Sequence, residues 1–213
     1  MTNGPHQNQP PRTASKPLAD ASAAMILIHG RGATAASILD LAPTLPHENM
    51  VYLAPQASGN TWYPYSFLSP IEQNEPGISS AMQVLTDLIA TIEEAGISAD
   101  RLILAGFSQG ACLASEFVAR NPRRYGGLFV FSGGLIGPPG TRRDYPGSLE
   151  DTPVFIGCSD NDPHIPVERV HETTTTLESM GANVNEQIYG GMPHTIIQDE
   201  IDHARKILDT LPG

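Results

Sequence analysis

The sequence predicts an α/β protein in which a mainly parallel sheet carries helices on both faces. Three observations support this class. Short apolar runs recur along the 213-residue chain, segments with helical periodicity separate them, and most runs are continuous rather than alternating in polarity. Continuous apolar runs are typical of strands that are buried on both faces of a parallel sheet. The regular alternation of strand and helix therefore favours this class over all-α or all-β folds.

Six apolar runs are predicted to be strands of this sheet. They cover residues 24–29, 50–54, 102–106, 127–131, 154–158 and 184–189.

Helical patterns are predicted over residues 80–95, 109–120, 166–180 and from about residue 195 onward. In the first of them, Ser80 and Gln83 have the spacing of a capping box, and Gly96 provides a stop. The second ends at Asn121-Pro122, and Pro166 can open the third. Residues 55–79 are expected to form a long loop rich in aromatic side chains.

The ends of the chain indicate one folded domain preceded by a tail. Residues 1–20 are polar and contain four prolines, so we expect a disordered tail before a single domain over 21–213. No apolar stretch in these residues resembles a signal peptide, and no run approaches the roughly 20 residues that span a bilayer. We therefore expect a cytoplasmic protein without stable membrane insertion, in which Cys112 and Cys158 are reduced.

Composition and charge exclude several classes of function. Hydrophobic residues make up 40% of the chain, which argues against a disordered or fibrous protein. The formal net charge is −11. Such a negative field disfavours nucleic acid and anionic membrane surfaces as partners.

A candidate nucleophile follows the third predicted strand. The segment Gly106-Phe107-Ser108-Gln109-Gly110 leads directly into a helical pattern, which is the strand–turn–helix context of a nucleophile elbow. Glycines suit such a turn because larger side chains would collide with the adjacent strand or helix. A serine needs a base to become nucleophilic, so a histidine and an acid should follow.

The candidate base and acid come after the last two predicted strands. His194 lies in a Gly- and Pro-flanked loop, and both Asp160 and Asp162 follow the fifth strand. Asp162 is favoured because Pro163 restricts the approach of its carboxylate, and we expect Asp160 to bind loop N–H groups. These side chains, with His164, also admit a metal site, but their spacing matches no standard ligand pattern. No metal or organic cofactor is therefore predicted.

The turn after the first strand is the predicted oxyanion hole. It reads His29-Gly30-Arg31-Gly32, and such a Gly-rich turn can supply a second backbone donor to a tetrahedral intermediate. The predicted donors are the backbone N–H groups of Arg31 and Gln109. His29 is expected to brace the loop.

Aromatic residues cluster in the long loop and predict a substrate pocket. Trp62, Tyr63, Tyr65 and Phe67 fall within six positions and can line an apolar wall. For Tyr65 and Phe67, pinning of the loop to the sheet is an equal alternative. The predicted substrate-binding set is Trp62, Tyr63, Tyr65, Leu135 and Ile165.

Taken together, these motifs resemble the phospholipase/carboxylesterase family of α/β-hydrolases, which includes the acyl-protein thioesterases. The matching pieces are LIHGRGA (27–33), LAGFSQGA (104–111), FSGG (131–134), DPHIP (162–166) and GMPH (191–194). The resemblance implies an α/β-hydrolase fold with little or no lid. It assigns the nucleophile to Ser108, the acid to Asp162 and the base to His194, with oxyanion donors at Arg31 and Gln109, and it allows a homodimer.

Two departures from the family concern the substrate. The family's aromatic loop usually carries an acid after its Trp and aromatic residue, and none is present at Trp62-Tyr63-Pro64. His164 stands where the family often has an aliphatic residue. Both departures touch the expected acyl or alcohol pocket, so the family's substrate does not transfer to this chain. The sequence predicts a serine hydrolase whose open site and modest apolar pocket favour small or medium carboxylic esters, with acyl-protein thioesters or lysophospholipids as alternatives. A non-catalytic binding module on the same fold is a further alternative.

Overall fold

The computed structural model describes residues 4–211, and its centre is one seven-stranded sheet. The strands are Arg12–Ser15 (β1), Ala23–Ile28 (β2), Met50–Ala54 (β3), Leu102–Phe107 (β4), Gly127–Phe131 (β5), Pro153–Ser159 (β6) and Asn183–Tyr189 (β7). Their spatial order is β1-β3-β2-β4-β5-β6-β7. Every neighbouring pair is parallel except β1 with β3. The predicted α/β class is confirmed.

Among residues 4–211, five α-helices cover the two faces of the sheet. They are Ala35–Ile38 (α1), Gly77–Glu94 (α2), Gln109–Arg120 (α3), Val167–Ser179 (α4) and Gln198–Leu208 (α5). Helices α2, α3 and α4 pack in one core layer, and α1 and α5 pack in the other. Successive side chains of β2 alternate between the layers: Ile26 lies in the first and Leu27 in the second. This explains why the strand is apolar at every position.

Helix α2 begins earlier than its capping pattern predicted. The helix starts at Gly77, and Ser80 is buried in its first turns. The Ser80 hydroxyl accepts a hydrogen bond from the backbone N–H of His6 and does not cap the helix. The prediction of a capping box at Ser80 is therefore wrong, because a contact from the N-terminal segment uses that hydroxyl.

The prediction of a disordered tail over residues 1–20 is corrected for the described residues of that segment. Strand β1 pairs antiparallel with β3, with Arg12 opposite Ala54 and Ser15 opposite Val51. Upstream of it, His6 is 3% exposed. Backbone pairing and one buried imidazole attach this polar segment to the domain, and neither has a compositional signature. Residues 1–3 of the predicted tail lie outside the described residues.

None of the helices within residues 4–211 combines the length and the apolarity that crossing a bilayer requires. Cys112 and Cys158 are both free and buried. The carboxyl ends of β2, β4, β6 and β7 meet at one edge of the sheet, where open α/β sheets bind ligands.

Candidate active site

Ser108 lies at a strained turn between β4 and α3. Its φ of 56° is in the left-handed region, which a non-glycine residue occupies only when its surroundings enforce it. The enforcement comes from close backbone approach on both sides. A Cβ on Gly110 would lie 2.0 Å from the carbonyl oxygen of Ile28, and one on Gly106 would lie 2.4 Å from the backbone of Gly110. The two glycines therefore allow the turn that projects Ser108 from the sheet edge.

An imidazole and a carboxylate are paired beside this turn. His194 Nδ1 lies 2.6 Å from Asp162 Oδ2, and the Asp162 side chain has no exposed surface. The other oxygen, Oδ1, accepts hydrogen bonds from the backbone N–H groups of His164 and Ile165 at 2.8 and 3.0 Å. Burial opposes ionisation of Asp162, but the hydrogen bonds from His194 and the two N–H groups lower its pKa below the usual value. An ionised carboxylate can only accept, so His194 donates from Nδ1 and Nε2 is left as a base.

Asp160 performs a different task on the same loop. Its Oδ1 accepts a hydrogen bond of 2.8 Å from the backbone N–H of Gly191. Gly191 is three residues before His194, so Asp160 braces the loop that carries the imidazole. Of the two competing aspartates, the structure brings Asp162 to His194 and Asp160 to the loop backbone.

Ser108 and His194 line the same cavity, which has a volume of about 610 Å³. Within residues 4–211 no direct hydrogen bond joins the Ser108 hydroxyl to the imidazole. In sites without substrate such contacts are commonly long and tighten in the reacting complex. Phe107 packs against the imidazole, with ring centroids 4.8 Å apart.

The two predicted oxyanion donors also lie on this cavity. Arg31 and Gln109 both line it, and neither backbone N–H has a hydrogen-bond partner within the described part of the chain. Gln109 is the first residue of α3, so its N–H also has the positive end of the helix dipole behind it. Two unpaired donors beside a serine hydroxyl suit a carbonyl oxygen that becomes negative.

The turn predicted to form the oxyanion hole, residues 29–32, is braced from behind by His29, as expected. His29 Nε2 accepts from the N–H of Ala57 at 3.1 Å, and Nδ1 donates to the carbonyl of Gly30 at 2.8 Å. Burial lowers the His29 pKa, which favours this neutral form. The Arg31 guanidinium adds bonds of 2.8 and 2.6 Å to the carbonyls of Pro64 and Tyr65. These bonds tie the turn that carries Arg31 to the aromatic loop, and no sequence motif signals them.

Three of the five predicted substrate-binding residues lie on the cavity and two do not. Tyr63, Tyr65 and Ile165 line it. Trp62 is fully buried behind the wall, because its indole N–H finds a partner in the carbonyl of His29 at 2.8 Å. Leu135 is also fully buried, and its backbone N–H donates to Thr173 Oγ1. Trp62 and Leu135 are therefore corrections to the predicted pocket.

Other residues reach the cavity that sequence reasoning did not assign to it. The cavity wall also includes Phe67, Phe107, Cys112 and His164. The His164 ring meets the His194 ring edge to face, with centroids 4.9 Å apart. For Phe67, the sequence favoured lining the pocket and pinning the loop equally. Cys112 follows Ser108 by one helical turn, so it lies on the same side of α3. A signal for His164 was available, because it follows Asp162 by two residues on the loop that reaches His194.

The cluster of Asp160, Asp162, His164 and His194 does not form a metal site. Across residues 4–211, no group of three or more His, Cys, Asp or Glu side chains is placed to hold a metal ion.

Both the sequence and the structure of this chain are similar to those of known hydrolases. The sequence model of a family described as phospholipase/carboxylesterase matches residues 12–211. A crystal structure of a phospholipase/carboxylesterase from Dyadobacter fermentans superposes with a TM-score of 0.92 at 43% identity, and the match covers 99% of each chain.

Curated relatives are more distant but match nearly the full length. Acyl-protein thioesterase 1 from Kluyveromyces lactis is 28% identical, over 92% of this chain and 95% of the relative. Lysophospholipase-like protein 1 from Mus musculus is 25% identical, over 95% and 93% respectively. The likeness therefore extends across the whole α/β-hydrolase fold.

Proposed function

This chain belongs to the phospholipase/carboxylesterase family of serine hydrolases, and we propose that it cleaves small or medium carboxylic esters through a triad of Ser108, His194 and Asp162. The observation that carries the proposal is the 2.6 Å contact between His194 Nδ1 and Asp162 Oδ2. It lies at the wall of the cavity that also contains Ser108 on its strained turn. The elbow, the base and the acid come from three loops at one sheet edge.

The chemistry proceeds in two half-reactions. His194 Nε2 takes the proton of Ser108 as the hydroxyl attacks the ester carbonyl, and Asp162 stabilises the imidazolium. The intermediate collapses, the imidazolium gives its proton to the leaving alcohol, and an acyl-enzyme remains. A water then attacks the acyl group with the same base, which releases the acid and regenerates Ser108.

The backbone N–H groups of Arg31 and Gln109 bind the negative oxygen of each tetrahedral intermediate. Each such donor elsewhere is worth roughly 2.7–4 kcal/mol of transition-state stabilisation. Their contribution rests on the turn being held before substrate arrives, which the contacts of His29 and the Arg31 side chain support.

The cavity favours small or medium substrates. Its volume of about 610 Å³ falls within the range of small-molecule sites, and Tyr63, Phe67 and Ile165 supply apolar and aromatic wall. Tyr65 is 57% exposed at the rim, so the site opens to solvent. Two relatives are named as an acyl-protein thioesterase and a lysophospholipase-like protein, which keeps acyl-protein thioesters and lysophospholipids as the second candidates.

The triad is tested with Ser108→Ala and a fluorophosphonate probe. We expect the wild-type chain to hydrolyse p-nitrophenyl butyrate and to be labelled at Ser108, while Ser108→Ala folds but loses both properties. Turnover retained by Ser108→Ala would reject the triad. A wild-type chain inert to a broad ester panel and to the probe would instead favour a binding module.

The substrate class is tested with an acyl-chain series. We expect kcat/KM for p-nitrophenyl esters to peak at short or medium chains. A maximum at palmitoyl length, with faster cleavage of palmitoyl thioesters, would favour the thioesterase alternative.

A further inference from the structure

The N-terminal segment reaches the rear of the active site through one buried histidine. His6 donates its backbone N–H to Ser80 Oγ at 2.9 Å. Its ring bridges two groups of the aromatic loop: Nδ1 lies 3.0 Å from the N–H of Ser58, and Nε2 lies 2.7 Å from the carbonyl of Trp62. A backbone N–H can only donate, so Nδ1 accepts and Nε2 carries the proton. The neutral imidazole therefore satisfies two backbone groups at once.

Trp62 transmits this contact to both halves of the oxyanion hole. Its backbone N–H donates to Gln109 Oε1 at 2.9 Å, and its indole N–H donates to the carbonyl of His29 at 2.8 Å. Gln109 Nε2 in turn donates to the carbonyl of Tyr63 at 2.9 Å. Trp62, which His6 holds, therefore contacts both proposed donor sites. It binds the side chain of Gln109, and it binds His29, which braces the turn of Arg31.

We propose that His6 is a positioning residue for ester hydrolysis, which fixes Trp62 and through it the alignment of the Gln109 and Arg31 N–H groups. This inference rests on the proposed function. His6 does not line the substrate cavity, so its effect passes through the loop that its ring holds at Ser58 and Trp62. Small misplacements of groups that stabilise the transition state are costly, since a shift of about 1 Å can reduce the rate about a hundredfold.

The chain offers a spectroscopic reporter at the point of contact. Trp62 is its single tryptophan, and the His6 and Trp62 rings meet edge to face with centroids 5.3 Å apart. When excitation is set at the long-wavelength edge of the absorption band, where the six tyrosines do not absorb, the emission reports on Trp62 alone.

The neighbouring Gln7 provides a matched control. Its Nε2 donates to the carbonyl of Ser80, and its Oε1 accepts from the Ser80 hydroxyl. Gln7 therefore attaches the same segment to α2, and its side-chain bonds end on Ser80, away from Trp62. Gln7→Ala weakens the attachment of the segment while leaving the bonds of His6 to Ser58 and Trp62 in place.

The experiment compares His6→Leu, His6→Gln and Gln7→Ala with the wild-type chain at a temperature where circular dichroism shows all four folded. We expect His6→Leu to lower kcat on p-nitrophenyl butyrate at least about tenfold and to change the Trp62 emission. His6→Gln, which retains a donor and an acceptor, should recover much of both. Gln7→Ala should keep the wild-type emission, and its kcat should stay within about twofold of wild type.

The outcomes separate this inference from the proposed function. If the wild-type chain turns over ester but His6→Leu has the kcat and emission of Gln7→Ala, the role of His6 is overturned and the triad stands. A wild-type chain without turnover or labelling overturns the proposed function and this inference with it. If His6→Leu does not fold, His6→Asn decides. Its amide oxygen can replace Nδ1 as the acceptor near Ser58, but the side chain is too short for its NH2 group to reach the Trp62 carbonyl as Nε2 does, so a wild-type kcat in that variant would overturn the inference.

Discussion

Two aspartates on one loop show how position within a few residues decides a role. Asp162 accepts hydrogen bonds from the His194 imidazole and from two backbone N–H groups, whereas Asp160 accepts one from the N–H of Gly191. Only the contact of Asp162 with His194 stabilises a positive imidazole during the proposed reaction. The contact of Asp160 with Gly191 stabilises the loop in every state of the protein.

Asp162→Asn and Asp160→Asn form a matched pair for this difference. We expect Asp162→Asn to lower kcat about 10³- to 10⁴-fold, because an amide neither compensates the positive charge of the imidazolium nor enforces the correct tautomer of His194. Asp160→Asn removes a charge from the same loop and should lower kcat by less than about tenfold. Steady-state kinetics on p-nitrophenyl butyrate measures both. Equal losses in the two variants would contradict the assignment of the acid to Asp162.

Residue identity predicted chemistry better than it predicted orientation. The elbow glycines around Ser108 and the proline after Asp162 are visible as local patterns. The inward turn of Trp62 is not, because the partner of its indole is the carbonyl of His29, more than thirty positions away. An aromatic-rich loop predicts a wall, but which rings face the cavity depends on distant hydrogen-bond partners.

The sequence predicted the bounds of strands and helices best where the element is buried, as in strands covered on both faces of the sheet. The runs at 50–54 and 127–131 coincide with β3 and β5, and 109–120 coincides with α3. Strand β1 was missed because its residues RTAS are largely exposed and polar. Its pairing with β3 depends on main-chain groups, which carry no side-chain signature. The short helix α1 was missed because four residues are too few to show a period.

The junction of β4 with α3 predicts a severe glycine substitution. Gly110→Ala would place a methyl group 2.0 Å from the carbonyl of Ile28, so β2 and α3 must separate. We expect the free energy of unfolding to fall by about 3 kcal/mol, the upper end of the usual cost of overpacking, measured by urea denaturation. Gly190→Ala is the control, because its Cβ would meet nothing closer than 3.9 Å. It should change stability by less than about 1 kcal/mol, and similar losses in both variants would contradict the packing argument.

At the scale of the whole molecule, a net charge of −11 coexists with a buried carboxyl that resists ionisation. Glu200 on α5 is fully buried, and within residues 4–211 its Oε1 has no hydrogen-bond partner. Burial raises the pKa of Glu200 from 4.5 to about 7. The unfolded chain therefore releases this proton at lower pH than the folded chain. The corresponding stability is fully present below pH 4.5 and is lost as the pH rises through about 7.

Glu200→Gln should remove this dependence on pH. The amide is neutral throughout, so we expect the variant to gain on the order of 2–3 kcal/mol over the wild-type chain between pH 5 and pH 8. Thermal unfolding across that range measures the gain. Glu178→Gln removes the same charge from an exposed position of α4. If that variant showed the same trend, net charge and not burial would be responsible.

The global architecture was predictable because one physical pattern, continuous apolar strands between amphipathic helices, recurs from residue 23 to residue 208. The three catalytic candidates were predictable because parallel strands deliver their following loops to one edge. The attachment of the N-terminal segment was not. It depends on the buried contacts of His6 and on an antiparallel edge, both of which join residues far apart in the chain.

The order of the strands places the proposed nucleophile at the centre of the sheet and the proposed base at its margin. Ser108 follows β4, the middle strand of seven, whereas His194 follows β7, which forms an outer margin and is only partly buried. Margins of a sheet fray by local opening before its centre does. On warming, hydrolysis should therefore disappear reversibly several degrees below the melting transition, and amide hydrogens of β7 should exchange with solvent deuterium well ahead of those in β4.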